Sequence, residues 1–89
     1  MAVIRDPKHK RDLVMRLKRV EGQLRGIQAM IAASEDCEKV AQQISASRRA
    51  LDKAFFNVLA CAIQDEPAAG ATGTDRRLRE AAELLAKFG

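Results

Sequence analysis

Apolar residues recur at spacings of four and three along the first third of the chain: Leu13, Leu17, Val20, Leu24, Ile27 and Ile31. That is the period of one face of an α-helix. Asp6-Pro7 suits its start, because an aspartate side chain caps open amides and a proline at the first helical position gives up only an amide that has no partner anyway. The stripe predicts a helix over about 7–33. Gly22 and Gly26 fall inside it at a cost of about 1 kcal/mol each relative to alanine, so they either permit close packing or soften the helix.

Ser34-Glu35-Asp36 interrupts the pattern with side chains that compete for backbone amides and with acidic groups that favour the start of a following helix. The second helix is predicted over about 37–65, with Val40, Ile44, Ser47, Leu51, Phe55, Val58 and Ala62 inward. At 1.5 Å per residue it is about 43 Å long, more than a compact domain of this size can cover. Copies of it are expected to pack on one another. Glu66-Pro67 ends it, 68–74 with Gly70 and Gly73 reads as a loop, and Thr74 or Asp75 caps a third helix over about 75–88. Leu78, Ala82, Leu85 and Phe88 are its expected inward face. The fold class is all-α, with three helices per protomer in one domain of 89 residues.

Composition strengthens the case for an oligomer. Hydrophobic residues are 47% of the chain, but alanine supplies much of that and Phe55, Phe56 and Phe88 are the only aromatics. A core made from so little bulk is thin. Lys+Arg 16 against Asp+Glu 12 gives +4, and Arg5, Lys8, Lys10, Arg11, Arg16, Lys18, Arg19 and Arg25 face only Asp6, Asp12 and Glu21 in the first helix region. Such a helix is either a solvated face or a phosphate footprint that symmetric copies multiply. A helix-turn-helix reader is not indicated, since the first two helices are long and the turn between them lies at Ser34. One His, no triad spacing and no Gly-rich phosphate loop argue against an enzyme, and no cofactor is expected. With no signal-like run near the start and no uncharged stretch of about 18 apolar residues, the expectation is a cytoplasmic protein that does not enter the membrane.

Two cysteines are too few for a disulfide scaffold. Cys37 opens the second helix, where unpaired amides and the helix dipole favour a thiolate, although Glu35, Asp36 and Glu38 oppose this. Cys61 lies in an apolar stretch where the ordinary role of a thiol is to pack. Twenty-four residues of helix separate their α-carbons by about 36 Å, so the two thiols of one chain cannot meet. An antiparallel pairing of two second helices, centred near Arg49 and Ala50, brings Cys37 of one protomer level with the Cys61 to Ala62 region of the other.

The block from Arg16 to Ile27 (Arg16-Leu17-Lys18-Arg19-Val20-Glu21-Gly22-Gln23-Leu24-Arg25-Gly26-Ile27), then Asp36-Cys37 and Val40-Ala41-Gln42-Gln43-Ile44-Ser45-Ala46, resembles the small helical metal- and stress-sensing repressors. That group includes CsoR, RcnR, FrmR and CstR. The resemblance implies an antiparallel dimer forming a four-helix bundle, dimers that pair again, binding of operator DNA through basic faces, and release by inducer chemistry at the first cysteine. It places Arg16 and Lys53 among the DNA-binding residues, Lys53 standing where the copper branch has arginine. Lys18, Arg19 and Arg49 complete the expected basic set.

The departures narrow the inducer. The copper branch has a His 25 and a Cys 29 residues after the first cysteine, where this chain has Ala62 and Glu66. Copper(I) prefers soft thiolate and imidazole ligands, so two of three expected donors are missing. Cys61 points about 120° away from Cys37 in an ideal helix. The nickel and cobalt branch needs several His, and this chain has only His9. No metal centre is expected, and any that formed would draw on Cys37 and Cys61. Thiol chemistry remains: Cys37 as the sensing nucleophile for reactive sulfur species or oxidants, with Cys61 of a second protomer resolving it. Formaldehyde, through Cys37 and an amino terminus exposed by Ala2, ranks second and copper(I) third. The opposing class is a helical interaction module that senses nothing.

Overall fold

The computed structural model describes residues 3–64 and 70–89, with the side chains of 3–63 and 76–89. These form three helices, α1 (Pro7–Ala32), α2 (Cys37–Gln64) and α3 (Gly70–Phe88). No strand occurs among the described residues. The expected end of the second helix at Asp65 and the Glu66-Pro67 break lie outside them.

The ends of α1 are set by local chemistry. The Asp6 carboxylate accepts hydrogen bonds from the Lys8 amide (2.8 Å) and the His9 amide (3.4 Å) ahead of Pro7. At the other end the Ser34 amide donates to the Ile31 carbonyl (3.1 Å) and the Glu35 amide to the Met30 carbonyl (2.9 Å). This paired closure requires a left-handed residue, and Ser34 takes that place with φ 59°. The chain then enters α2 through Asp36, whose Oδ2 accepts from the Glu38 and Lys39 amides at 3.1 and 3.3 Å. Cys37 is therefore the first residue of α2, fixed by a capped start directly behind a closed helix end.

The third helix begins at Gly70, where the sequence pattern predicts a loop as far as Thr74. Residues 68 and 69 lie outside the described set, and 70–74 are helical. Once a helix is nucleated, each added residue brings one more hydrogen bond, which offsets the poor propensity of Gly70 and Gly73. The inward face of α3 also differs from expectation. Arg77 and Ala81 are buried, while Leu78, Ala82, Leu85 and Phe88 are not, Phe88 being 71% exposed.

α2 packs against both α1 and α3. The packing of α1 on α2 uses every second member of the predicted α1 stripe, while on α2 it uses Ser47 from the predicted inward face together with Ala54 and Cys61, which the prediction left off that face. Leu13, Val20 and Ile27 are buried, seven residues apart, against Ser47, Ala54 and Cys61, again seven apart. The alternate members form a second pair of rows, Leu17, Leu24 and Ile31 on α1 and Ile44, Leu51 and Val58 on α2, and these are exposed in the protomer. The inward assignment of Ile44, Leu51 and Val58 thus does not hold within one chain. The reason is room: one partner helix covers only one seam of α2, and a stripe wider than that seam stays bare.

The protomer measures 56 × 27 × 14 Å with a radius of gyration of 17.0 Å, against about 12 Å for a compact domain of this length. A thickness of 14 Å is a single layer of helices. Its accessible surface of 6633 Å² is about a quarter more than the roughly 5,200 Å² of a typical folded monomer of 9.8 kDa.

Candidate functional site: a basic groove and two separated thiols

Four of the five basic residues singled out in the sequence come together. Arg16 and Arg19 on α1 and Arg49 and Lys53 on α2 line one groove of about 320 Å³, whose floor includes Val20, Gln23, Ala46 and Ala50. Positions 16, 19 and 23 share one edge of α1, and 46, 49, 50 and 53 share the facing edge of α2, so helix periodicity alone gathers them. Lys18 is exposed and lines none of it. The groove carries an arginine donor that nothing in the protomer uses, since the Nε of Arg16 is buried without a hydrogen-bond partner. The Arg49 guanidinium donates to the Ser45 hydroxyl at 3.2 Å, which holds it along α2. Three guanidiniums and an ammonium facing one space suit oxygen anions such as phosphate.

The seam beneath this groove is fixed by a polar contact that the sequence pattern alone does not reveal. Ser47, 3% exposed, donates from Oγ to the Oε1 of Gln23 at 3.3 Å. In the sequence Ser47 reads only as a core position, and Gln23 only as part of a motif. A serine in a heptad of apolar residues was the available signal. Arg77, buried on α3, is likewise unexpected, and nothing in the α3 pattern marks it.

The two cysteines occupy different rows of α2. Cys37, Ile44, Leu51 and Val58 follow one another at steps of seven on the exposed row, whereas Ser47, Ala54 and Cys61 form the buried one. Neither thiol is in a disulfide. Cys37 opens into a crevice of about 530 Å³ with Ile31, Ser34, Glu35, Val40, Ala41 and Ile44, a mostly apolar lining. Cys61, 6% exposed, borders a smaller crevice on the α1 side together with His9, Asp12, Arg16 and Asn57. A third crevice, about 520 Å³ and almost wholly apolar, runs between Leu13, Leu17, Leu51, Phe55 and Val58.

A family model described as metal-sensitive transcriptional repressor matches residues 9–87. The chain belongs to that family. This repressor is 39% identical over 77 residues to the copper-sensing transcriptional repressor RicR of Mycobacterium tuberculosis, covering 82% of this chain and 80% of RicR. It is 40% identical over 52 residues to the copper-sensing transcriptional repressor CsoR of Bacillus subtilis, covering 58% of this chain and 52% of CsoR. A variant of the formaldehyde-responsive regulator FrmR from Salmonella enterica serovar Typhimurium has the same fold, with a TM-score of 0.77 at 22% identity over 94% of this chain and 98% of the other. The family is one of repressors, not enzymes. No helix of the described residues is long and apolar enough to cross a membrane.

The donors present do not fit a soft three-ligand metal centre within the protomer. Among the described residues no three His, Cys, Asp or Glu side chains gather around a common point. Ala62, at the position where the resemblance expects imidazole, is buried and offers no donor. Glu66 and the Met1-Ala2 terminus lie outside the described residues.

Proposed function

We propose that this repressor binds operator DNA through the groove of Arg16, Arg19, Arg49 and Lys53, repeated once per protomer in an oligomer, and is released by reactive sulfur species or oxidants acting on Cys37. The observation that carries this reading is the shared row of Cys37, Ile44, Leu51 and Val58. The thiol stands at the end of the bare apolar face that a second copy covers, so a group added to its sulfur changes how protomers pack. An effector shifts an equilibrium only through its differential interaction with two states, and packing against a second copy supplies that difference. With a polysulfide, the Cys37 sulfur attacks a sulfane sulfur, the donor's S–S bond breaks, and the shortened chain leaves as a thiolate. The apolar crevice beside Cys37 admits such a small, weakly hydrated donor.

Copper(I) is the second reading, on the ground that RicR and CsoR are copper-sensing. Fluorescence anisotropy with the operator decides between them. Affinity should fall steeply with salt and drop after polysulfide but not after copper(I) or formaldehyde, and Cys37→Ala should remove the response. A normal polysulfide response in Cys37→Ala sinks the thiol reading. Affinity no greater than for random DNA returns the chain to a plain interaction module.

A further inference from the structure

Within the protomer Cys61 lies on the buried row of α2, apart from the exposed row of Cys37. It borders a crevice of about 230 Å³ with His9, Asp12, Arg16 and Asn57, all of its own chain. That volume accommodates several water molecules at about 30 Å³ each. A small polar oxidant fits there. Arg16 also lines the basic groove with Arg19, Arg49 and Lys53, so one side chain borders both the crevice of the buried thiol and the groove. Its buried Nε makes no hydrogen bond.

We infer that Cys61 is a second modification site, internal to the protomer, where hydrogen peroxide converts the thiol to a sulfenic acid whose oxygen draws Arg16 away from the basic groove. In this step the Cys61 sulfur, its proton lost to solvent, attacks one peroxide oxygen. The O–O bond breaks, the new S–O bond forms, and hydroxide leaves to be protonated to water. Sulfur is oxidised and peroxide reduced by the same two electrons. The product places a strong acceptor beside a guanidinium with an unused donor, and further oxidation to the sulfinate adds a full negative charge. The effect on DNA rests on the groove being the DNA contact, as proposed above; the modification and the movement of Arg16 do not.

The test uses full-length Cys37→Ala protein, in which Cys61 is the remaining thiol, treated with hydrogen peroxide and then dimedone. Mass spectrometry should find the dimedone adduct on Cys61. The Arg16 Nε–H resonance should shift in a ¹⁵N spectrum of the oxidised protein. Operator affinity should fall roughly tenfold relative to the same protein reduced, the size of effect expected when one charged hydrogen bond per protomer is withdrawn. Cys37→Ala/Cys61→Ala, its helicity checked by circular dichroism, should show none of these changes. Absence of the adduct overturns the inference, as does an adduct that leaves the Arg16 resonance unmoved. So does peroxide treatment of the wild type that gives a Cys37–Cys61 interchain disulfide in place of the sulfenic acid. Should the reduced protein bind no DNA at all, the repressor groove is wrong, and the adduct and the Arg16 shift still judge the present inference.

Discussion

Ser47 Oγ sits 3.3 Å from Gln23 Oε1, and this bond crosses from α2 to α1 through an otherwise apolar seam. Removing it in Ser47→Ala should cost about 1 kcal/mol in urea unfolding, because exposed Gln23 can turn to water once the hydroxyl is gone. Ser47→Leu should cost more, about 1–3 kcal/mol, by forcing bulk into a seam closed at 3% exposure. It should also weaken DNA binding, since the same seam floors the basic groove. Equal stability of the two variants rules out close packing here.

The groove predicts an asymmetry among basic residues. Arg49→Ala should lower operator affinity about tenfold and reduce the salt slope by about one for each phosphate it no longer neutralises, with similar weakening on unrelated DNA sequences. Lys18→Ala, outside the groove, should change affinity far less. Anisotropy titrations at several salt concentrations compare them. If Lys18→Ala is the more damaging, the DNA contact lies on the other side of α1.

Ser34 holds a left-handed backbone with a side chain that disfavours it. Ser34→Gly should therefore stabilise the protein by about 0.5–1 kcal/mol, the gain being limited by the greater freedom of glycine in the unfolded chain. Thermal unfolding reads it directly, and a fall in Tm excludes the αL strain as the dominant effect.

The Asp6 cap carries a pH dependence. The amides of Lys8 and His9 hold its carboxyl below the ordinary aspartate value of 3.8. A lowered folded-state value means that the cap's contribution is fully present above that ordinary range and is lost as pH falls through the depressed value. Amide exchange at the start of α1 should rise with acidification below about pH 4 in the wild type. In Asp6→Ala that region should exchange rapidly at every pH. An identical acid profile in both proteins counts against the cap.

Gly22 and Gly26 have open space where a Cβ would lie. Gly22→Ala and Gly26→Ala should each strengthen α1 by about 1 kcal/mol, as host helices do. Denaturant titration measures this, and a loss of stability in place of the gain would put the backbone of a second copy against these positions.

The helices were legible because the chain repeats its apolar residues so regularly that Leu13 to Ile31 and Val40 to Ala62 admit little else. Which half of each stripe turns inward was not legible. Leu13, Val20 and Ile27 are chemically equivalent to Leu17, Leu24 and Ile31, and only the placement of the neighbouring helix separates buried from bare. The same limit hid which side chains of its own protomer surround Cys61. Its 120° offset from Cys37 follows from about 100° per helical residue, but that the offset turns it toward His9 and Arg16 depends on where α1 lies. The basic groove was readable because 16, 19, 49 and 53 sit at helical spacings on adjoining edges. The start of α3 was not, since Gly70 and Gly73 resemble loop punctuation until the amphipathic segment after them is seen to extend backward.

A protomer only 14 Å thick has one further consequence. A single layer of helices keeps little dry interior of its own, so where copies assemble, the folded state is favoured by mass action and its melting temperature climbs with protein concentration. Where the copy number is low, a larger fraction of chains is then unfolded and open to proteolysis. The amount of regulator on the operator follows synthesis more steeply than in proportion, which gives a small one-layer protein a threshold without any additional binding site.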